Sequence, residues 1–343
     1  MKKSLFNTTL LFKKPFQLNH GTRLGTKALF LKIEHNQLAG YSEATFPPYL
    51  NESDENTAAQ INQLDPTLFD FTVKPLKFQL LKLDDYNLSP FTRSLVVNCL
   101  YDLQAKLNNK SLKQELGLNN SNNYKSSFTI TKSDLDSLDI KKETARQFNL
   151  IKLKLDGDND LEFVNIVLKH IHKPFCVDAN QGWENIPMNE CIKLVNELKK
   201  MGCELIEQPF LKTNYSKHKD LSLTKIIPVF ADEGIQNETE LIQYGSNFDG
   251  VNIKILKCGG VDRAMRMAMK AKEMGKKIII GCMSESSCGC STAFALSSLA
   301  DYLDIDGPWL IKNDPFEGFM IKDGKFETAL KTGTGIYLSN EFN

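Results

Sequence analysis

From residue 123 onward, short apolar runs alternate with longer stretches whose apolar residues recur at helical spacing. The runs are Ser127–Thr131, Leu150–Leu155, Pro174–Asp178, Glu204–Glu207, Pro228–Asp232, Val251–Ile255, Lys277–Gly281 and a weaker one at Leu303–Asp306. Between them the spacing predicts helices such as Asp160–His172, Met188–Met201, Val261–Met274 and Thr292–Leu303. This beat is that of βα units. Eight such units in so short a span predict a (β/α)₈ barrel rather than an open doubly wound sheet. No Gly-x-Gly-x-x-Gly follows a strand, which weakens the dinucleotide-binding alternative further.

The first 122 residues follow another pattern. Ser4–Leu18 and Lys27–His35 read as strands, and Gly40-Tyr-Ser-Glu43 as a turn into a further short strand. Residues 54–63 read as a short helix after Ser53. Leu95, Val96, Cys99, Leu100 and Leu103 give Phe91–Leu107 a helical period. The polar stretch Leu118–Tyr124 marks a boundary. The expected α/β architecture has an α+β capping domain at 1–122, a barrel carrying the active site at 123–314, and a tail at 315–343. Short strands in Phe316–Leu338 return that tail to the cap.

Composition narrows the partners. The 343 residues carry 42 Lys+Arg against 42 Asp+Glu, and this zero net charge argues against a nucleic-acid partner. With 41% hydrophobic and 24% charged residues the chain reads as soluble and globular. The start, Met1–Phe6, has a faint signal-peptide look, but Asn7, Thr8 and Thr9 interrupt it and Lys13-Lys14 closes it. No run approaches the ~18 apolar residues of a membrane span. The expectation is a cytoplasmic protein with no membrane partner, homo-oligomer formation being left open. Of eight cysteines only Cys288 and Cys290 lie close together, so reduced core thiols are expected. His170 and His172 fall at a helix end away from the barrel mouth, and Met265 and Met269, four apart, are expected to pack on the barrel.

Barrel chemistry sits at the C-terminal ends of the strands. Reading only those ends collects Lys152 and Lys154, Asp178, Glu207, Asp232, Lys254, and Asp304 with Asp306. One acid at a strand end is most simply a helix cap. Three on consecutive strands converge, and carboxylate oxygens suit a hard divalent ion such as Mg²⁺, not zinc. Lys152 and Lys154 alternate with Ile151, Leu153 and Leu155, so both lysines share the face opposite the aliphatics. The outer face of a parallel barrel lies under helices, which points the lysines inward. Lys254 repeats the arrangement between Ile253 and Ile255. The chemistry that fits is proton removal α to a carboxylate, with a divalent ion stabilising the enediolate and two lysines working from opposite faces. A lysine acting as base must be neutral, and the ion and a neighbouring lysine both favour that state.

These motifs resemble the enolase superfamily, in its muconate-lactonizing branch, over nearly the whole chain. Lys152-x-Lys154, Val177-Asp-Ala-Asn-Gln-Gly-Trp183, Ile206-Glu-Gln-Pro209, Ala231-Asp-Glu233 and Asn252-Ile-Lys254 stand in that family's order and spacing, and Gly40-Tyr-Ser-Glu43 resembles its capping-domain turn. The resemblance implies Asp178, Glu207 and Asp232 as ligands of one Mg²⁺ per subunit, with Mn²⁺ as a substitute. It implies Lys154 facing Lys254 across the substrate, and Lys152 on the substrate carboxylate. Asp304-x-Asp306 resembles the dipeptide epimerases of the branch, where such a pair holds the α-ammonium of a dipeptide. Thr129 matches a substrate-binding position of that group, and Cys282 a position whose main-chain carbonyl faces the ammonium. Gly234 departs from the family, which more usually has serine there. Arg23, in a flexible stretch Leu18–Leu24, would suit an acidic side chain through a bidentate pair, or would simply be solvated.

The implied activity is epimerisation of L-Ala-L-Glu and L-Ala-D-Glu, a pair found in murein peptides. N-acylamino-acid racemase and o-succinylbenzoate synthase are the alternatives within the branch. A catalytically silent relative is the alternative outside enzymes, against which the complete set of acids and lysines speaks. The preferred second residue, the lysine serving each epimer and the role of Glu285 stay open.

Overall fold

The computed structural model describes residues 2–18, 21–69, 75–119 and 123–340. The chain opens with an antiparallel sheet of β1 (Lys2–Leu18), β2 (Gly21–His35) and β3 (Leu38–Phe46). Asn36 and Gln37, both at positive φ, form the tight turn between β2 and β3. The helices α1 (Asp54–Gln63), α2 (Leu76–Asp84) and α3 (Pro90–Leu107) follow, and a single helical turn at Leu112–Glu115 comes before the barrel. Ser89 caps α3 by accepting from Thr92 N, and Pro90 takes the first turn, where no N–H is needed. Gly40 lies inside β3, not at a turn. A Cβ there would come 2.5 Å from Cys99 O, so only glycine lets β3 press this closely on α3. Arg93 of α3 ties the cap to the barrel, donating to Gly259 O and pairing with both oxygens of Asp262.

Eight parallel strands close the barrel: β4 (Lys125–Ile130), β5 (Leu150–Lys154), β6 (Phe175–Asp178), β7 (Cys203–Glu207), β8 (Val229–Ala231), β9 (Gly250–Lys254), β10 (Lys277–Gly281) and β11 (Tyr302–Asp304), which pairs back on β4. Each overlaps one of the eight apolar runs. The helix expected at Thr292–Leu303 lies earlier in the chain. It spans Ser287–Phe294, started by the Ser286 cap, and a 3₁₀ turn at Ser297–Leu299 leads to β11. The chain must run extended from there to bring Leu303 into the core. On helix Val261–Glu273 the buried face is Ala264, Met267, Ala268 and Ala271, whereas Met269 is 49% exposed. The small alanines let the helix lie close on the barrel, so Met269 is not a core residue. All eight cysteines are buried and unpaired.

The expected boundary at 122/123 abuts residues 120–122, which lie outside the described residues. Beyond residue 314 the chain touches both parts. Phe316 packs on Phe30 and Tyr41 of the cap, while Phe319 and Phe326 pack on Trp309 and Phe294 of the barrel. Among the described residues no helix is long and apolar enough to cross a membrane.

Candidate active site

The period of two along each barrel strand builds the site. Leu150, Cys176, Leu205, Phe230 and Ile279 form an apolar cluster of their own. Two residues further along the same strands, on the same face, stand Lys152, Asp178, Glu207 and Asp232. Charged groups therefore lie on an apolar floor inside the barrel. One oxygen from each of Asp178, Glu207 and Asp232 falls within 4.8 Å of the others, and all three residues are buried. This donor set of hard oxygens fits a divalent metal ion.

Among the described residues four lysines surround the triad. Lys152 Nζ lies 2.7 Å from Glu207 Oε2, 2.7 Å from Asp304 Oδ2 and 3.1 Å from Asp178 Oδ2. Lys154 Nζ is 2.6 Å from Asp178 Oδ2. Lys254 Nζ is 2.9 Å from Asp232 Oδ2, and Lys257 Nζ is 2.5 Å from Asp232 Oδ1. Burial opposes ionisation of Asp178, but Lys154 and Lys152 outweigh it and hold its carboxyl down at about 2. Burial and the Asp178 charge push Glu207 up to about 7. Burial disfavours the charged form of Lys254, yet Asp232 and Glu207 prevail and raise its pKa above the ordinary lysine value. Lys152 is raised for the same reason, chiefly by Asp304 and Glu207 against burial. The carboxylates thus favour the charged forms of Lys152 and Lys254.

A cavity of about 330 Å³ opens above the triad. Lys154, Lys254, Thr129, Cys282, Asp304 and Asp306 line it from the barrel, and Arg23, Tyr49 and Leu50 from the cap. Asp304 Oδ1 accepts from Ser127 Oγ at 2.8 Å, and Asp306 Oδ2 from Thr129 N at 2.6 Å. Burial and neighbouring Asp304 raise the Asp306 carboxyl to about 6. Cys282 N donates to Asp304 O, which joins the strand-seven end to the strand-eight end. Arg23 lies on β2, in register with Phe16, rather than in a flexible loop. Residues 19 and 20 of that stretch are outside the described residues. The Arg23 guanidinium stacks over the rings of Phe12 and Tyr49 and donates from Nη2 to Ser284 Oγ at 3.3 Å. Its Nε and Nη1 are buried with no hydrogen-bond partner among the described residues.

Glu285 does not line the cavity. It accepts from Met283 N beside Glu43 of the cap, which itself accepts from Ser286 N, Ser286 Oγ and Gly289 N. His170 caps its own helix end through Ile166 O, far from this chemistry in role. Sequence reasoning missed Lys257, whose signal is its place one turn after Lys254. It also missed Ser127 and the side-chain role of Asn252, which donates to Glu207 Oε1 at 2.8 Å.

A closed parallel barrel, capped at its mouth and holding acids on three consecutive strands, defines a recognisable class. A solved dipeptide epimerase from Methylococcus capsulatus, complexed with Mg and the dipeptide L-Arg-D-Lys, has this fold, with a TM-score of 0.87 at 24% identity over 98% of each chain. Residues 139–342 match the enolase C-terminal domain-like family, and the chain belongs to that family. It is 32% identical to an L-Ala-D/L-Glu epimerase of Bacteroides thetaiotaomicron, over 98% of this chain and 88% of that one. It is 33% identical to an L-Ala-D/L-amino acid epimerase of a Maribacter species, over 99% and 100%.

Proposed function

We propose that the protein is a Mg²⁺-dependent dipeptide epimerase that inverts the α-carbon of the C-terminal residue, with L-Ala-L-Glu and L-Ala-D-Glu as its substrate pair. One observation carries the reading. Lys154 and Lys254 stand on β5 and β9, four strands apart in an eight-strand barrel, each paired to a different acid of the triad. A base on each side of one α-carbon is what inversion requires. Asp178, Glu207 and Asp232 would hold the ion. When bound, Mg²⁺ supplies charge that favours loss of a proton α to a carboxylate and offsets the acids that keep Lys254 protonated.

In this reading one lysine removes the α-proton and the other returns a proton to the opposite face. Lys152, fixed by three carboxylates, binds a substrate carboxylate oxygen. Asp304 and Asp306 take the α-ammonium, with the Cys282 carbonyl and Thr129 beside them. Arg23 takes the glutamyl side chain, a role supported by its two buried nitrogens that have no partner among the described residues. The test is incubation with L-Ala-L-Glu and Mg²⁺ in heavy water. Both epimers should form, carrying deuterium at the glutamyl α-carbon. Turnover of N-succinyl amino acids without turnover of free dipeptides would replace this reading with an N-acylamino-acid racemase.

A further inference from the structure

Gln208 directly follows Glu207, and its carboxamide is buried outside the cavity lining. Its Oε1 accepts from Asp232 N at 2.9 Å and from Gly234 N at 3.0 Å. Its Nε2 donates to Phe210 O at 3.0 Å and faces His218 Nε2 at 3.1 Å. Both lone pairs and both hydrogens are used, so the amide has one orientation that satisfies every neighbour. The amide ties the residue after one acid of the triad to the backbone of the next. A Cβ at Gly234 would lie 3.3 Å from Gln208 Oε1 and 3.3 Å from Lys212 O, so the glycine leaves the amide oxygen room beside this backbone.

His218 sits on the helix Tyr215–Leu223, buried against Phe210 and Phe248. Its Nδ1 is 2.9 Å from Asn214 O. A carbonyl only accepts, so Nδ1 carries the hydrogen and Nε2 the lone pair. Burial keeps the ring neutral, pulling its pKa to about 4 against the pull of the Asn214 carbonyl and Glu184, with Lys217 adding to the effect of burial. A hydrogen on Nε2 would set two donors face to face. Turning the amide over to relieve that would point its NH₂ at the N–H groups of Asp232 and Gly234.

We propose that His218 is a positioning residue for the metal site: its bare Nε2 holds Gln208 in the orientation that sets the Asp232 backbone against the Glu207 turn. This rests on the reading of Asp178, Glu207 and Asp232 as Mg²⁺ ligands.

The tests use the full-length protein. Long-range ¹H–¹⁵N spectra of the unmodified protein should show His218 as the neutral Nδ1–H tautomer at neutral pH; an Nε2–H tautomer would overturn the inference. Calorimetric Mg²⁺ titration should show binding weakened about tenfold or more in His218→Leu and in Gln208→Met, which keeps the volume without the hydrogen bonds. His218→Gln, which keeps an acceptor, should bind within about threefold of the parent. If His218→Leu does not fold, Gln208→Met and the tautomer decide. Parent-like affinity in the folded variants defeats the positioning role. Absence of Mg²⁺ binding by the parent defeats the metal reading instead.

Discussion

Lys152 Nζ lies 2.7 Å from Asp304 Oδ2, an ion pair enclosed in the barrel. The same ammonium touches Glu207 and Asp178, so one lysine joins the triad to the rim of the cavity. Asp304 therefore serves Lys152 as well as any ligand above it. Asp306 pairs with no lysine or arginine among the described residues.

That division separates two substitutions. Asp306→Asn should lower kcat/KM on free dipeptides by about tenfold or more, because a charged hydrogen-bond partner of the ammonium is lost. Asp304→Asn should lower kcat as well, since it also removes the charge of one of the three carboxylates that hold Lys152. Steady-state rates on free and N-acetyl dipeptides check both. Equal rates of the parent on the two substrate types would exclude an ammonium site.

Removal of the metal should stop turnover. Excess chelator should abolish epimerisation and added Mg²⁺ restore it. Glu207→Gln should weaken Mg²⁺ binding by more than about a hundredfold with an unchanged circular dichroism spectrum. Full activity in chelator would defeat the assignment.

The two lysines should separate by face. In heavy water Lys254→Ala should stop epimerisation while leaving α-proton exchange on one epimer, and Lys154→Ala should leave exchange only on the other. Mass spectrometry of each epimer reads the result. Interconversion at near the parent rate in either folded variant would end the two-base reading.

Arg23 should govern the side chain accepted. Arg23→Met should raise KM for Ala-Glu by about tenfold or more and change Ala-Leu little, since only an anionic side chain loses a charged partner. A parallel loss on both dipeptides would mean that Arg23 holds the cap rather than the substrate.

Glu43 gives the fold a pH dependence of definite sign. Burial and adjacent Glu285 raise its carboxyl to about 8, despite three hydrogen bonds that favour the ionised form, against an ordinary value of 4.5. Between those values the native state holds a proton that the unfolded chain has lost. This contribution to stability is therefore full below about pH 4.5 and is lost as pH rises through about 8. Thermal unfolding of the Mg²⁺-loaded protein should show it, and Glu43→Gln should have the shallower slope. Identical slopes would clear Glu43 as the source.

The barrel and its inward charges were legible residue by residue. A strand has a period of two and a barrel strand has helices behind it, so Ile151, Leu153 and Leu155 had to face out, which left Lys152 and Lys154 facing in. Strand-end position then gathered Asp178, Glu207 and Asp232 without any knowledge of distance. Where local pattern carries no sign of what lies opposite, the sequence was silent. A helical period spaces Met265, Met267 and Met269 but does not say which turns inward; the alanines that face the barrel decided for Met267. The glycine of Gly40-Tyr-Ser-Glu43 read as a turn because its contact, Cys99 O, is 59 residues away and belongs to another element. Arg23 stacked over Phe12 and Tyr49, Glu43 held by Ser286, and Gln208 locked by His218 are all meetings made by packing. Each depends on how separate elements come to rest against one another, and that is a property of the folded chain alone.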